Sequence, residues 1–139
     1  MTKHNLVDSP IITPLKYSYH KPERGLWVLN EDMLPIPWDE ISDRQIVHFA
    51  PKAYGGNHAH PRREWFVAIG DLLFVWLDNE GNRHEEQMQN GNQLLLFTVP
   101  ANIPHAVFNR SSSNVGMLWE FADGKLRDEV EFRIMSKVD

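Results

Sequence analysis

The sequence predicts an all-β protein of one domain, a closed antiparallel barrel or sandwich. Three observations carry that expectation. The apolar runs have strand length rather than helix length, they are rich in β-branched and aromatic residues, and turn formers separate them at short intervals. The runs fall at 25–29, 45–49, 64–69, 72–77, 94–99, 105–108, 115–121 and 130–134. Between them, 52–57, 78–81, 90–92 and 100–104 carry the Gly, Pro, Asn and Asp residues of turns. A candidate for a short helix is the stretch 38–44. Residues 1–22, with Pro10, Pro14 and Pro22, read as an extended N-terminal arm, which leaves 23–139 as the barrel domain.

A chain of 139 residues buries one core, so that core must host whatever chemistry there is. A net charge of −5 argues against a broad nucleic-acid-binding face. No run approaches the ~20 apolar residues needed to cross a bilayer, and the N-terminus lacks the apolar stretch of a signal peptide. The expectation is a cytoplasmic protein without nucleic-acid or membrane partners. With no cysteine in the chain, disulfides, thiolate nucleophiles and iron–sulfur clusters are excluded, and any metal must sit on nitrogen and oxygen.

The chemistry-bearing residues begin at His58 and His60. Residues i and i+2 of a strand share a face, so the two imidazoles can meet at one point inside a barrel. Pro61 favours ending that strand, and Glu64 then starts the next one, facing the histidines across a hairpin. His105 follows the proline-bounded turn 100–104 at the start of another strand. Three imidazoles and a carboxylate suit a divalent first-row metal. A His-x-His pair alone arises by chance about 0.35 times in such a composition, but requiring Glu four residues later lowers this to about 0.03. His4, His20, His48 and His84 lie outside this pattern and read as ordinary surface or hydrogen-bonded residues.

The two segments resemble the two motifs of the cupin superfamily: His58-x-His60-x3-Glu64 with Gly70 near the place of its closing glycine, and Pro100-x4-His105-x3-Asn109. The resemblance implies a single-domain jelly-roll, a double-stranded β-helix barrel, with His58, His60, Glu64 and His105 as ligands of Mn, Fe, Ni or Zn. Asp71 follows Gly70 where the motif usually has its glycine, and Asn102 stands where a glycine is common; Asn tolerates the left-handed conformation. Over most of the chain, 23–31, 34–38, 56–60 and 75–78 are similar to the nucleotide-sugar cupins, the dTDP-4-dehydrorhamnose 3,5-epimerase relatives and the dTDP-sugar 3,4-ketoisomerases. In the ketoisomerases a His-x-His pair acts on the ketosugar, which implies catalytic roles for His58 and His60. Those enzymes usually carry an Arg just before the pair, where this chain has Gly55, Gly56 and Asn57, and they work without a bound metal.

Three function classes follow. The first is an isomerase or epimerase that moves a proton next to the carbonyl of a keto-sugar or sugar nucleotide. The second is a metal-dependent oxygenase, and the third a barrel that binds a carbohydrate or other small molecule without chemistry. Arg62 and Arg63 are candidates for a phosphate clamp, or else a solvated turn pair. Tyr54 is a candidate for substrate hydrogen bonding or for rim packing. Asn109 could support the site from the strand of His105, or bond its own turn. The five tryptophans are expected mainly in cores and interfaces. Pairing of exposed strand edges makes a homodimer the expected assembly.

Overall fold

The computed structural model describes residues 9–125, 129–132 and 134. Its strands are β1 (Ile11–Pro14), β2 (Tyr19–Lys21), β3 (Leu26–Val28), β4 (Asp43–Phe49), β5 (Tyr54–Ala59), β6 (Glu64–Ile69), β7 (Leu72–Leu77), β8 (Arg83–Gln87), β9 (Gln89–Asn90), β10 (Gln93–Val99), β11 (His105–Asn109), β12 (Gly116–Ala122) and β13 (Val130–Glu131). Two antiparallel sheets face each other. One runs β1-β10-β6-β12-β4, with β9 added to β10; the other runs β13-β5-β11-β7-β8. β2 and β3 form a separate two-stranded ribbon.

Alternation along the strands builds three apolar layers. Phe66, Ala68, Phe74, Phe97, Val107 and Leu118 point between the sheets and form the central core. The neighbours of those residues point the other way. Trp65, Val67, Leu96 and Phe121 lie on the outer face of the first sheet, where Leu15, Leu34 and Ile36 cover them. Leu73, Val75, Ala106 and Phe108 lie on the outer face of the second sheet, beneath Ile134. Strands β6 and β7 are therefore buried on both faces, which explains why their sequences are continuous apolar runs rather than alternating ones.

Three sequence expectations change. The candidate helix at 38–44 is a single 3-10 turn, Trp38–Glu40, because Asp43 already pairs with Ala122 as the first residue of β4. Segment 52–57, read as a turn, enters β5 at Tyr54. Within the 1–22 arm, β1 pairs with β10 and Leu15 is buried against the first sheet. Among the described residues no helix is long and apolar enough to cross a membrane.

Candidate metal and substrate site

The site sits between the sheets. His58 lies on β5, and His60 follows one residue after that strand ends. His105 opens β11 and pairs directly with His58, with a register shift before Ala106. Gly56 makes this irregular pairing possible: its φ is +98°, and a Cβ there would stand 2.8 Å from the His105 carbonyl oxygen. Asn102, at φ +68°, shapes the turn that delivers His105, and its amide donates to the His60 carbonyl at 2.8 Å. The left-handed conformation expected there is the one adopted.

Glu64 reaches the histidines by a different route from the expected hairpin. β5 and β6 belong to opposite sheets, so the corner after Pro61 carries the chain across the barrel. Glu64 then approaches from the facing wall.

The three imidazoles place ring nitrogens within 4.8 Å of one another. Glu64 Oε1 lies 3.1 Å from His105 Nε2, and its Oε2 lies 3.3 Å from His60 Nε2. Glu64 thus touches two of the three histidines but stands outside their tight trio. His60, Glu64 and His105 are buried, whereas His58 retains 20% of its side-chain exposure.

The donor chemistry fits a divalent cation. His105 Nδ1 lies 2.8 Å from the Ile103 carbonyl, which can only accept, so Nδ1 carries the proton. Nε2, 3.1 Å from a carboxylate oxygen, then either carries a second proton or presents a lone pair to that oxygen. Two acceptors at that distance need a proton or a cation between them. Both ring nitrogens of His60 and Oε1 of Glu64 are buried without hydrogen-bond partners, with His60 Nε2 3.3 Å from Glu64 Oε2 and Oε1 3.1 Å from His105 Nε2. A nitrogen- and oxygen-ligated metal would satisfy Oε1 and one of the two His60 nitrogens.

Burial raises the proton affinity of Glu64, but its contacts with His105 and His60 outweigh that and hold the carboxyl well below the usual carboxylate range. Burial, together with the neighbouring His105 and His60, lowers the His58 pKa from 6.5 to about 4. Glu129, 3.1 Å from Nδ1, opposes that shift. His58 is neutral at pH 7.

Glu120 on β12 escaped the sequence reading. Its pKa is driven up by burial and by the Glu64 carboxylate, against the pull of Arg62. A cavity of about 110 Å³ opens onto the site, and its polar lining is His58, His105 and Glu120. The available signal was alternation: on β12, Gly116, Leu118 and Glu120 share the inward face. A larger cavity, about 260 Å³, lies on the outer face of the first sheet among Tyr17, Trp27 and Trp119 and contains none of the histidines.

Arg62 is not a free phosphate clamp. It is buried, and each of its five N–H donors already has an acceptor: Nε and Nη2 on Glu64 Oε2, Nη1 on Asp43 and the Gly124 carbonyl, and Nη2 on Glu120. Arg63 points outward, pairs with Asp123 and Glu40, and lies over Trp65. Tyr54 is exposed and absent from the cavity lining. The Asn109 amide nitrogen donates to the carbonyls of Phe49, Ala50 and Asn114, and its oxygen accepts from Ser111 N–H. It ties a turn together. His84 stacks on Trp76 and pairs with Asp78, while His20 and His48 are exposed. His4 lies outside the described residues.

Two facing antiparallel sheets around this histidine-rich interior have the architecture of the cupin fold. Among solved structures, the chain is similar to the dTDP sugar isomerase of Desulfovibrio desulfuricans G20, with TM-score 0.72 and 12% identity, covering 94% of this chain and 92% of that one. It is also similar to the sugar 3,4-ketoisomerase QdtA of Thermoanaerobacterium thermosaccharolyticum, solved with TDP, with TM-score 0.64 and 13% identity over 87% and 86% of the two chains. A third likeness is to the capsular polysaccharide assembling protein CapF of Staphylococcus aureus, with TM-score 0.56 and 14% identity over 65% of this chain. This chain spans about a quarter of CapF, 26% of its length. Identities this low carry the fold alone. No family model and no curated protein matches the sequence.

Proposed function

We propose that this cupin binds a divalent transition metal on His58, His60, His105 and Glu64, and isomerises or epimerises a keto-sugar or sugar nucleotide by proton transfer next to the carbonyl. The observation that carries the reading is the convergence of three imidazoles and a carboxylate, with orphaned nitrogens and oxygen, at the end of a cavity in this fold. His58 Nδ1 faces the Glu129 carboxylate, which leaves the single lone pair of Nε2 for the interior, where it would ligate the metal when the ion is bound and serve as a neutral base when it is not. His60, buried beside it with ring centroids 4.7 Å apart, completes the pair in either role. A metal bound here would polarise the substrate carbonyl as a Lewis acid. Phe49, Phe66 and Val107 make the remaining wall apolar, which strengthens every charge interaction inside it. We further propose that the active species is a homodimer, supported by the exposed Ile46 and Ile69 on the outer face of the first sheet.

The test combines metal analysis with turnover of TDP-4-keto-6-deoxyglucose in D₂O, followed by NMR. Wild type is expected to hold near-stoichiometric metal and to exchange the proton beside the carbonyl. His58→Ala/His60→Ala should lose both, and Glu64→Gln should bind the metal more than about tenfold more weakly. Stoichiometric iron with oxygen consumption and no sugar turnover would replace this reading with a metal-dependent oxygenase, which the same donor set also favours. Binding of the sugar nucleotide without exchange would make it a carbohydrate-binding cupin.

A further inference from the structure

Arg62 is bonded through all five of its N–H groups, and its bonds are distributed unevenly over Glu64. Nε and Nη2 both reach the same carboxylate oxygen, Oε2, at 3.1 and 2.8 Å. Oε1 receives nothing from Arg62 and is buried without a hydrogen bond, 3.1 Å from His105 Nε2. Asp43, at 2.7 Å, and Glu120, at 3.3 Å, bind the far side of the guanidinium. The Gly124 carbonyl takes the remaining Nη1 proton at 2.9 Å. Partners on β4, β6, β12 and the following loop therefore fix the guanidinium plane, and that plane fixes the carboxylate.

The charges explain how a cation can be tolerated beside an arginine. Asp43, Glu64 and Glu120 surround one guanidinium, so the cluster stays anionic around Arg62 and can still attract a divalent ion. Oε2 also lies 3.3 Å from His60 Nε2, but its lone pairs are taken by two Arg62 N–H groups, so Oε1 is the oxygen of Glu64 left free to donate to a metal. We propose that Arg62 is a positioning residue that restricts Glu64 to a single-oxygen donor, so that the site presents a metal with three imidazole nitrogens and one carboxylate oxygen. This inference rests on the metal-binding reading above. It accounts for an arginine placed next to an acidic ligand residue yet withdrawn from the cavity lining.

The experiment is a Co²⁺ titration of the full chain, read by visible absorption and calorimetry. Affinity alone decides nothing, because removing a buried cation favours binding of another by simple charge. The absorption intensity reports donor number and falls as further oxygens join. Arg62→Met frees Oε2 and is expected to lower the intensity per bound Co²⁺ by about twofold or more. Arg62→Lys keeps one donor on Oε2 and should restore the wild-type spectrum. In a Glu64→Gln background, Arg62→Met should change nothing further, since the effect runs through the carboxylate. Arg62→Gln carries the same test if the methionine variant does not fold.

A folded Arg62→Met or Arg62→Gln protein with the wild-type Co²⁺ spectrum would overturn the inference, as would a spectral change that persists in the Glu64→Gln background. Failure of wild type to bind Co²⁺ at all would overturn the metal reading and this inference with it, a result distinguishable from the other two.

Discussion

At the scale of single residues, the barrel treats its titratable groups in opposite ways. Glu64 is held ionised by its histidine neighbours, while His58 is held neutral by burial and by His105 and His60. The His58 shift has a stability consequence for protein freed of metal by a chelator. Its folded pKa of about 4 lies below the ordinary 6.5, so between those values the unfolded chain binds a proton that the folded chain refuses. The contribution is complete above pH 6.5 and falls away as the pH drops towards 4. Urea midpoints of the chelated protein should decrease across that window, and His58→Gln should flatten the decrease. An equal slope in the variant would remove His58 as its source. Strand alternation brought His58 and His60 together in the sequence reading, and motif spacing added His105 and Glu64, although Glu64 arrives across the barrel rather than through a hairpin. Glu120 was not legible, because a lone acid in an apolar strand reads equally well as facing solvent. Arg62 was misread for a related reason: its burial depends on carboxylates from β4, β6 and β12, which are distant in sequence.

At the scale of elements, the strand that carries His58 is the one the sequence concealed. Gly55, Gly56 and Asn57 look like turn chemistry, yet they form the irregular half of β5 where it passes close to β11. Gly56 and Gly81 both adopt positive φ, but only Gly56 has backbone against its would-be Cβ. Gly81→Ala therefore incurs only the cost of a strained backbone, about 1–3 kcal/mol. Gly56→Ala adds a clash with the His105 carbonyl at 2.8 Å and should cost more. It should also weaken metal binding, because the β5–β11 pairing aligns His58 with His105. Thermal melts and Co²⁺ titrations of the two variants separate these effects. Equal losses in both would show that the close approach at Gly56 carries no special weight. β8 was concealed differently: Arg83–Gln87 is wholly polar, and only the edge of β7 makes it a strand.

At the scale of the whole molecule, strand content and turn positions were readable, but the division of strands between two sheets was not. Periodicity fixes which face of a strand is apolar; it does not say which sheet the next strand joins, and the corner after Pro61 turned an expected hairpin into a crossing of the barrel. The same arrangement leaves one surface unaccounted for. The N-terminal segments cover Trp65 and Phe121 on the outer face of the first sheet and reach β4 at Arg44, which pairs with Glu31 and lies over Trp38, but leave Ile46 uncovered. There Ile46 is 62% exposed, paired in register with the partly buried Trp119, and Ile69 is 46% exposed, paired with Met117. Among the described residues β4 is also an edge strand of its sheet, with no strand paired to its outer side. An apolar face next to an open edge is well suited to a two-fold contact, in which the same patch serves both subunits. Light scattering behind size exclusion should give twice the 16.2 kDa chain mass. Ile46→Lys/Ile69→Lys should run as a folded monomer with its Co²⁺ binding intact, because both side chains point away from the histidines. A wild-type protein that is monomeric at all accessible concentrations would sink the dimer, whereas a double variant that remains dimeric would move the interface to another face.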